Sequence, residues 1–140
     1  EIASTLLAHG QAEGVVRTEY CGVPCQSRMD FYSPEHGLID LKTCDNLTWF
    51  EADARRYGYA YQVAFYRALL SIHLNDFTIP VHIVAVEKQE PYRCGVWKLT
   101  ADSLDCAQRE NEAAIARLKA CEASGIWPTG YEDVRFYDAI

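Results

Sequence analysis

Arg28-Met29-Asp30-Phe31-Tyr32-Ser33-Pro34-Glu35-His36-Gly37-Leu38-Ile39-Asp40-Leu41-Lys42 holds two strand-like runs around a turn. The runs are Gln26 to Tyr32 and Leu38 to Thr43, and Ser33-Pro34-Glu35-His36-Gly37 between them carries the Pro and Gly of a turn. Paired as an antiparallel hairpin, they set Asp30 almost directly across from Asp40. Facing Cβ atoms in such a pair lie roughly 4.5–5.5 Å apart, and like charges placed there destabilise the sheet. Because side chains alternate along a strand, Asp40 and Lys42 share a face. Two carboxylates and an ammonium then gather in one place for which folding alone gives no reason. A divalent cation would remove the repulsion.

Working outward, 140 residues with 49% apolar content suffice for one domain with a filled core. Nothing in the chain is long and apolar enough to span a bilayer, and its start, Glu1-Ile2-Ala3-Ser4, has no signal-peptide pattern. Cys21, Cys25, Cys44, Cys94, Cys106 and Cys121 are scattered without a CxxC pair. They read as buried, reduced thiols, which points to the cytoplasm. A formal net charge of −7 does not mark a nucleic-acid protein, whose usual first sign is a basic footprint. A local basic groove remains compatible with it.

Residues 2–9 read as a helix stopped by Gly10, and Ala12 to Tyr20 as a strand ending at the Cys21-Gly22 turn. Arg28 and Asp30, two apart, point to one face. Arg28 serves there either as a structural ion pair or as a cation for phosphate. Leu47 to Leu74 reads as one long helix, with Asn46 or Thr48 as its cap and Gly58 as a weak point that does not end it. Along it, Arg55, Tyr59, Gln62 and Tyr66 step by helical spacing onto one stripe of hydrogen-bond donors suited to phosphate or metal-bound water. Thr78 to Glu87 is a buried strand and Gly95 to Leu99 its outer partner. Ala101 to Ala123 is a helix ended by Gly125 and Pro128. The tail from Ile126, with Trp127, Tyr131, Phe136 and Tyr137, is expected to wrap the domain or to form an oligomer contact.

Paired acids suit hard cations such as Mg²⁺, which take oxygen ligands. Beside them Lys42 can activate a water or hold a phosphate, and a metal stabilises charge that develops on phosphate oxygens. That set of groups fits phosphodiester hydrolysis. It fits acyl transfer poorly, since no Ser or Cys has a base near it, and no Walker or GxGxxG loop is present.

Met29-Asp30, then Asp40-Leu41-Lys42, then Gln62-Val63-Ala64-Phe65-Tyr66 on a helix resemble the PD-(D/E)xK nuclease superfamily with the QxxxY helix of its RecB-like branch. Gly22-Val23-Pro24-Cys25, Ile39 to Thr43, Tyr59 to Tyr66 and Trp127-Pro128 make the chain most similar to RecE-type phage exonucleases. The resemblance implies an α/β fold with a restriction-endonuclease-like core, a mixed central β-sheet flanked by helices. It implies that Asp30, Asp40 and the Leu41 carbonyl bind Mg²⁺, with Mn²⁺ a substitute. Lys42 is then the catalytic lysine, and Gln62 with Tyr66 positions the nucleophilic end of the site or a DNA phosphate. Arg28, Arg55 and Tyr59 are expected to contact DNA.

The implied activity is 5′ to 3′ degradation of duplex DNA ends, leaving 3′ tails for a single-strand annealing protein. Relatives of this type work as homo-oligomers. Met29 stands where the family has Pro. The upstream metal-binding His of the RecB-like branch has no match, so residues 1–140 are expected to be a single nuclease domain lacking its N-terminal helical part. The rival readings are a RecB-like repair or CRISPR-adaptation nuclease with an iron–sulfur site, and a non-catalytic DNA-binding protein on the same fold.

Overall fold

The computed structural model describes Glu1–Ile140. Strands β1 (Gln11–Tyr20), β2 (Val23–Ser33), β3 (Gly37–Cys44), β4 (Val81–Glu87) and β5 (Cys94–Lys98) form one sheet in the order of the chain. All neighbours are antiparallel except β3 and β4, which run parallel. A parallel pair needs a crossover. Here a short 3₁₀ turn (Leu47–Trp49), α2 (Phe50–Tyr57) and α3 (Tyr59–Leu74) provide it. The remaining helices are α1 (Ile2–Leu6) and α4 (Ala101–Ser124). The expected mixed α/β sheet is therefore the one observed.

Alternation along β3 and β4 divides the core. Leu38, Val81, Ile83 and Ala85 face α3 and α4 and pack with Phe50, Val63, Leu69 and Leu104. Ile39 and Val84 point to the other side, where only Leu6 of short α1 joins them as buried cover. Asp40 and Lys42 follow Leu38 on the crowded side, so the fold draws both charges beneath α3.

The crossover departs from a single Leu47–Leu74 helix. Gly58 takes φ +68°, ending α2 in the left-handed conformation and restarting the chain as α3. A Cβ there would sit 3.1 Å from Tyr61 Cδ2, so glycine is needed for the backbone angle and for space. The N-terminal helix stops at Leu6, short of Gly10. Gly10 instead passes Tyr32 so closely that a Cβ would lie 2.1 Å from its carbonyl oxygen. β4 starts at Val81, three residues later than its pattern indicated.

Two other expectations fail. The tail does not wrap the domain: Phe136 and Tyr137 are fully or almost fully exposed, and Trp127 and Tyr131 largely so. Only Cys44 among the six thiols is buried, because Cys106 turns to the outer side of α4 and Cys21 and Cys94 lie at strand ends. All six are free. No helix is long and apolar enough to cross a membrane.

Candidate active site

The β2–β3 ladder runs only through Ser33–Gly37, Tyr32–Leu38 and Phe31–Ile39. One more step in that register would pair Asp30 with Asp40, and there the strands part. On its other side β2 pairs Phe31 with Ala12 and Met29 with Gly14, skipping Asp30 and Glu13. Glu13 has φ +54°, a conformation costing a non-glycine residue roughly 1–2 kcal/mol. Asp30 thus sits at a bend, released from backbone pairing on both sides. Its Oδ2 accepts a 2.7 Å hydrogen bond from the Leu41 N–H, taking the place that β2 backbone would hold.

The N–H and C=O of one strand residue project to the same side. The Leu41 carbonyl therefore emerges toward Asp30 rather than toward β4. Asp30, Asp40 and this carbonyl offer three oxygen donors of the hard type that Mg²⁺ or Mn²⁺ takes. No group of three His, Cys, Asp or Glu side chains is placed to hold a metal, so the set is two carboxylates and a backbone oxygen.

Asp40 is buried, with its side chain 3% exposed. Lys42 Nζ lies 2.7 Å from Asp40 Oδ2 as an ion pair, yet no donor is aligned on that oxygen for a hydrogen bond. Burial pushes the Asp40 carboxyl above its usual range and the Asp30 carboxylate adds to the rise, while Lys42 opposes it. A buried carboxylate oxygen without a directed donor, beside a second carboxylate, is the environment a divalent cation would satisfy.

A row of contacts fixes the lysine. Lys42 Nζ donates to Gln62 Oε1 at 2.8 Å, and Gln62 Nε2 donates to the Tyr66 hydroxyl at 3.0 Å. The Tyr59 ring centroid lies 4.7 Å from the same ammonium. The i, i+4 spacing of Gln62 and Tyr66 on α3 makes the second link possible.

Tyr59, Gln62 and Tyr66 thus meet as their spacing indicated. Arg55 does not join Gln62 and Tyr66. Beyond the break at Gly58 it lines a neighbouring cavity of about 350 Å³ with Tyr59, Phe50 and Trp97, where it also reaches Glu51 at 3.9 Å. Arg28 pairs with Glu13 at 3.0 Å, both side chains largely exposed, and still lines the cleft of about 500 Å³ that holds Asp30, Gln62 and Tyr66.

Arg17 and Gln26 line that cleft as well, joined by a 3.1 Å hydrogen bond. They were missed by sequence, though the Cys21-Gly22 turn could have found them. A tight turn there sets Arg17 opposite Gln26 and Val15 opposite Arg28. On the other side of Lys42 a second cleft, about 470 Å³, is lined by Leu41, Lys42, Tyr59, Val84 and Val86.

Residues 1–139 match the family described as "PDDEXK-like domain of unknown function (DUF3799)". The chain belongs to this family. It is thereby a member of the PD-(D/E)xK nuclease superfamily, as the order Asp30, Asp40-Leu41-Lys42, Gln62 and Tyr66 indicated. Among curated proteins no match is found. A crystal structure of a Eubacterium rectale protein named "Putative exonuclease" is similar with a TM-score of 0.78 and 20% identity. It is covered over 58% of its length by 100% of this chain, and at that identity the likeness shows the restriction-endonuclease-like fold.

Proposed function

We propose that this domain is a metal-dependent deoxyribonuclease that hydrolyses phosphodiester bonds at duplex DNA ends. The observation that carries the reading is the continuous row Asp40, Lys42, Gln62, Tyr66 set beside Asp30. A structural ion pair would not require a second carboxylate opposite it, nor a lysine held from three sides.

Asp30, Asp40 and the Leu41 carbonyl would hold the cation. When bound, Mg²⁺ or Mn²⁺ supplies positive charge for the phosphate oxygens and for an attacking water. Lys42 donates from Nζ to a non-bridging phosphate oxygen or to that water. Gln62 keeps the ammonium aimed, and Tyr66 keeps Gln62 in its rotamer. Attack by water on phosphorus breaks one ester P–O bond, and the departing oxygen takes up a proton. Arg28, together with Arg17, meets the flanking phosphates along the open cleft.

Exonuclease action is supported by the name of the similar Eubacterium rectale protein. The finer features rest on the resemblance to RecE-type enzymes: 5′ to 3′ polarity, 3′ tails passed to an annealing protein, homo-oligomeric assembly and action in the cytoplasm. The iron–sulfur alternative gains nothing from the fold, since the thiols are dispersed over β1, β2, β3, β5 and α4 and their turns.

The test is digestion of end-labelled linear and closed circular duplex DNA with Mg²⁺, comparing wild type, Lys42→Ala and Asp40→Asn. Loss of linear DNA by the wild type alone is the expected result. Cleavage of closed circles would exclude an exonuclease, and equal activity in the variants would exclude this site.

A further inference from the structure

Two consecutive tyrosines of the crossover lie on different helices, and that break brings their rings together. In one continuous helix, residues two apart do not face each other. With Gly58 at φ +68° between them, the Tyr57 and Tyr59 rings stack at 6.0 Å between centroids and 28° between planes. Tyr59 is the inner member: it packs on the main core and holds the Lys42 ammonium over its ring. Tyr57 is the outer member, 61% exposed and outside that core, with the Arg56 guanidinium 5.7 Å from its ring centroid. From solvent inward, the order is Arg56, Tyr57, Tyr59, Lys42. Core packing explains Tyr59 but gives no reason for Tyr57.

We propose that Tyr57, with Arg56 beside it, is a stacking platform for the unpaired nucleobase next to the phosphate under attack. The inference rests on the nuclease reading and deepens it, because it names the form of the strand that enters the site. A base inside a duplex is already stacked on both faces. A single exposed ring one aromatic layer from the catalytic lysine fits a base freed from its partner. Stacking on an aromatic ring tolerates every base, as a nuclease without sequence preference requires, and Arg56 adds a cation for the adjoining phosphate or for the base itself. The duplex end is therefore frayed before cleavage, with the cut strand led over Tyr57 to Lys42.

The experiment measures steady-state cleavage with Mg²⁺ of an end-labelled single-stranded oligonucleotide and of the same oligonucleotide with abasic sites at its terminal positions. Wild type, Tyr57→Ala and Tyr57→Phe are compared. The wild type is expected to show a KM about tenfold higher for the abasic strand, the order of one lost stacking contact. Tyr57→Ala raises KM for the normal strand by a similar factor, leaves kcat unchanged and no longer distinguishes the two substrates. Tyr57→Phe behaves as the wild type. A Tyr57→Ala enzyme that keeps the preference, or that loses kcat instead, overturns the platform. Wild-type cleavage without any preference for bases overturns it while leaving the nuclease reading intact. No cleavage of either strand while linear duplex DNA is degraded overturns the platform alone, and no cleavage of the two strands or of linear duplex DNA overturns both.

Discussion

Two buried carboxylates of the same sheet face sit on neighbouring strands, each touching one cation, and their acidities move in opposite directions. Asp40 on β3 lies 2.7 Å from Lys42, and Glu87 on β4 lies 2.6 Å from Arg93. Burial holds the Asp40 carboxyl above its usual range. Hydrogen bonds from Arg93, then from the Leu47 N–H, hold Glu87 below it. The difference lies in the partners around each charge. Glu87 accepts from Arg93 Nε and a terminal guanidinium nitrogen and from the Leu47 N–H at 3.0 Å, so its lone pairs are used in joining β4 to the start of the crossover. Asp40 has an ammonium without an aligned hydrogen bond and a second carboxylate opposite. One pair closes the fold, and the other keeps a buried charge incompletely satisfied where a cation can complete it.

The largest effect is expected at the unsatisfied pair. Lys42→Ala and Asp40→Asn should each lower kcat on linear DNA by at least about 10²- to 10³-fold, the scale of losing one group that stabilises developing charge. Asp40→Asn should nevertheless melt no lower than the wild type near neutral pH. The folded-state pKa of Asp40 is raised, so its ionised form is worse off in the native protein than in the unfolded chain at pH values above the usual carboxylate range. A marked fall in the melting temperature of Asp40→Asn would make the Asp40–Lys42 pair a structural one.

Glu87→Gln is the converse. It should lower the melting temperature and leave kcat near wild type, since Glu87 touches none of Asp30, Lys42, Gln62 or Tyr66. Because the folded pKa of Glu87 is depressed, its contribution is complete above the ordinary value of 4.5 and is lost as pH falls through the folded value. Thermal melts of the wild type should therefore weaken in acid below about pH 4.5, and this limb should flatten in Glu87→Gln. Loss of activity without loss of stability would move Glu87 from the fold to the site.

Gly58→Ala carries a smaller effect, because it strains the hinge on which the tyrosines and Gln62 are placed. A side chain at φ +68° costs roughly 1–2 kcal/mol, and the added Cβ must displace Tyr61. A chemical denaturation midpoint reads the loss, and an unchanged midpoint would show that the backbone relaxes there without cost.

What the sequence made legible follows the same division. Asp30, Asp40, Lys42, Gln62 and Tyr66 could be brought together in advance because strand alternation and i, i+4 spacing are local rules. The hairpin register that faces Asp30 with Asp40 was readable from the Pro34–Gly37 turn. The stripe does not run unbroken from Arg55 to Tyr66 because one left-handed glycine interrupts an otherwise uniform helical pattern, and a period does not show a break that both halves satisfy. The bend at Glu13, a non-glycine in a glycine conformation, left no signal at all. Glu87 and Arg93 are six residues apart across a loop, and only the folded β4–β5 ladder brings them together. The Cys pattern misled because a small apolar residue on an amphipathic helix serves either face.

The smallest expected effect on stability tests a third charge pair against the first two. Arg28 and Glu13 meet at 3.0 Å with side chains 74% and 62% exposed. Water and salt screen such a pair, so Arg28→Ala should change stability by about 0.5 kcal/mol or less. Arg28 nevertheless lines the cleft that begins at Asp30, and the Glu13 carboxylate beside it is exposed and free to turn away when a phosphate arrives. Arg28→Ala should therefore weaken DNA binding by a similar factor on every sequence and reduce the slope of log affinity against log salt by about one. Binding titrations at several salt concentrations, with Ca²⁺ in place of Mg²⁺ to prevent cleavage, measure that slope. An unchanged slope with a lowered melting temperature would make Arg28 a structural partner of Glu13 and would leave Arg17 as the cation of this cleft.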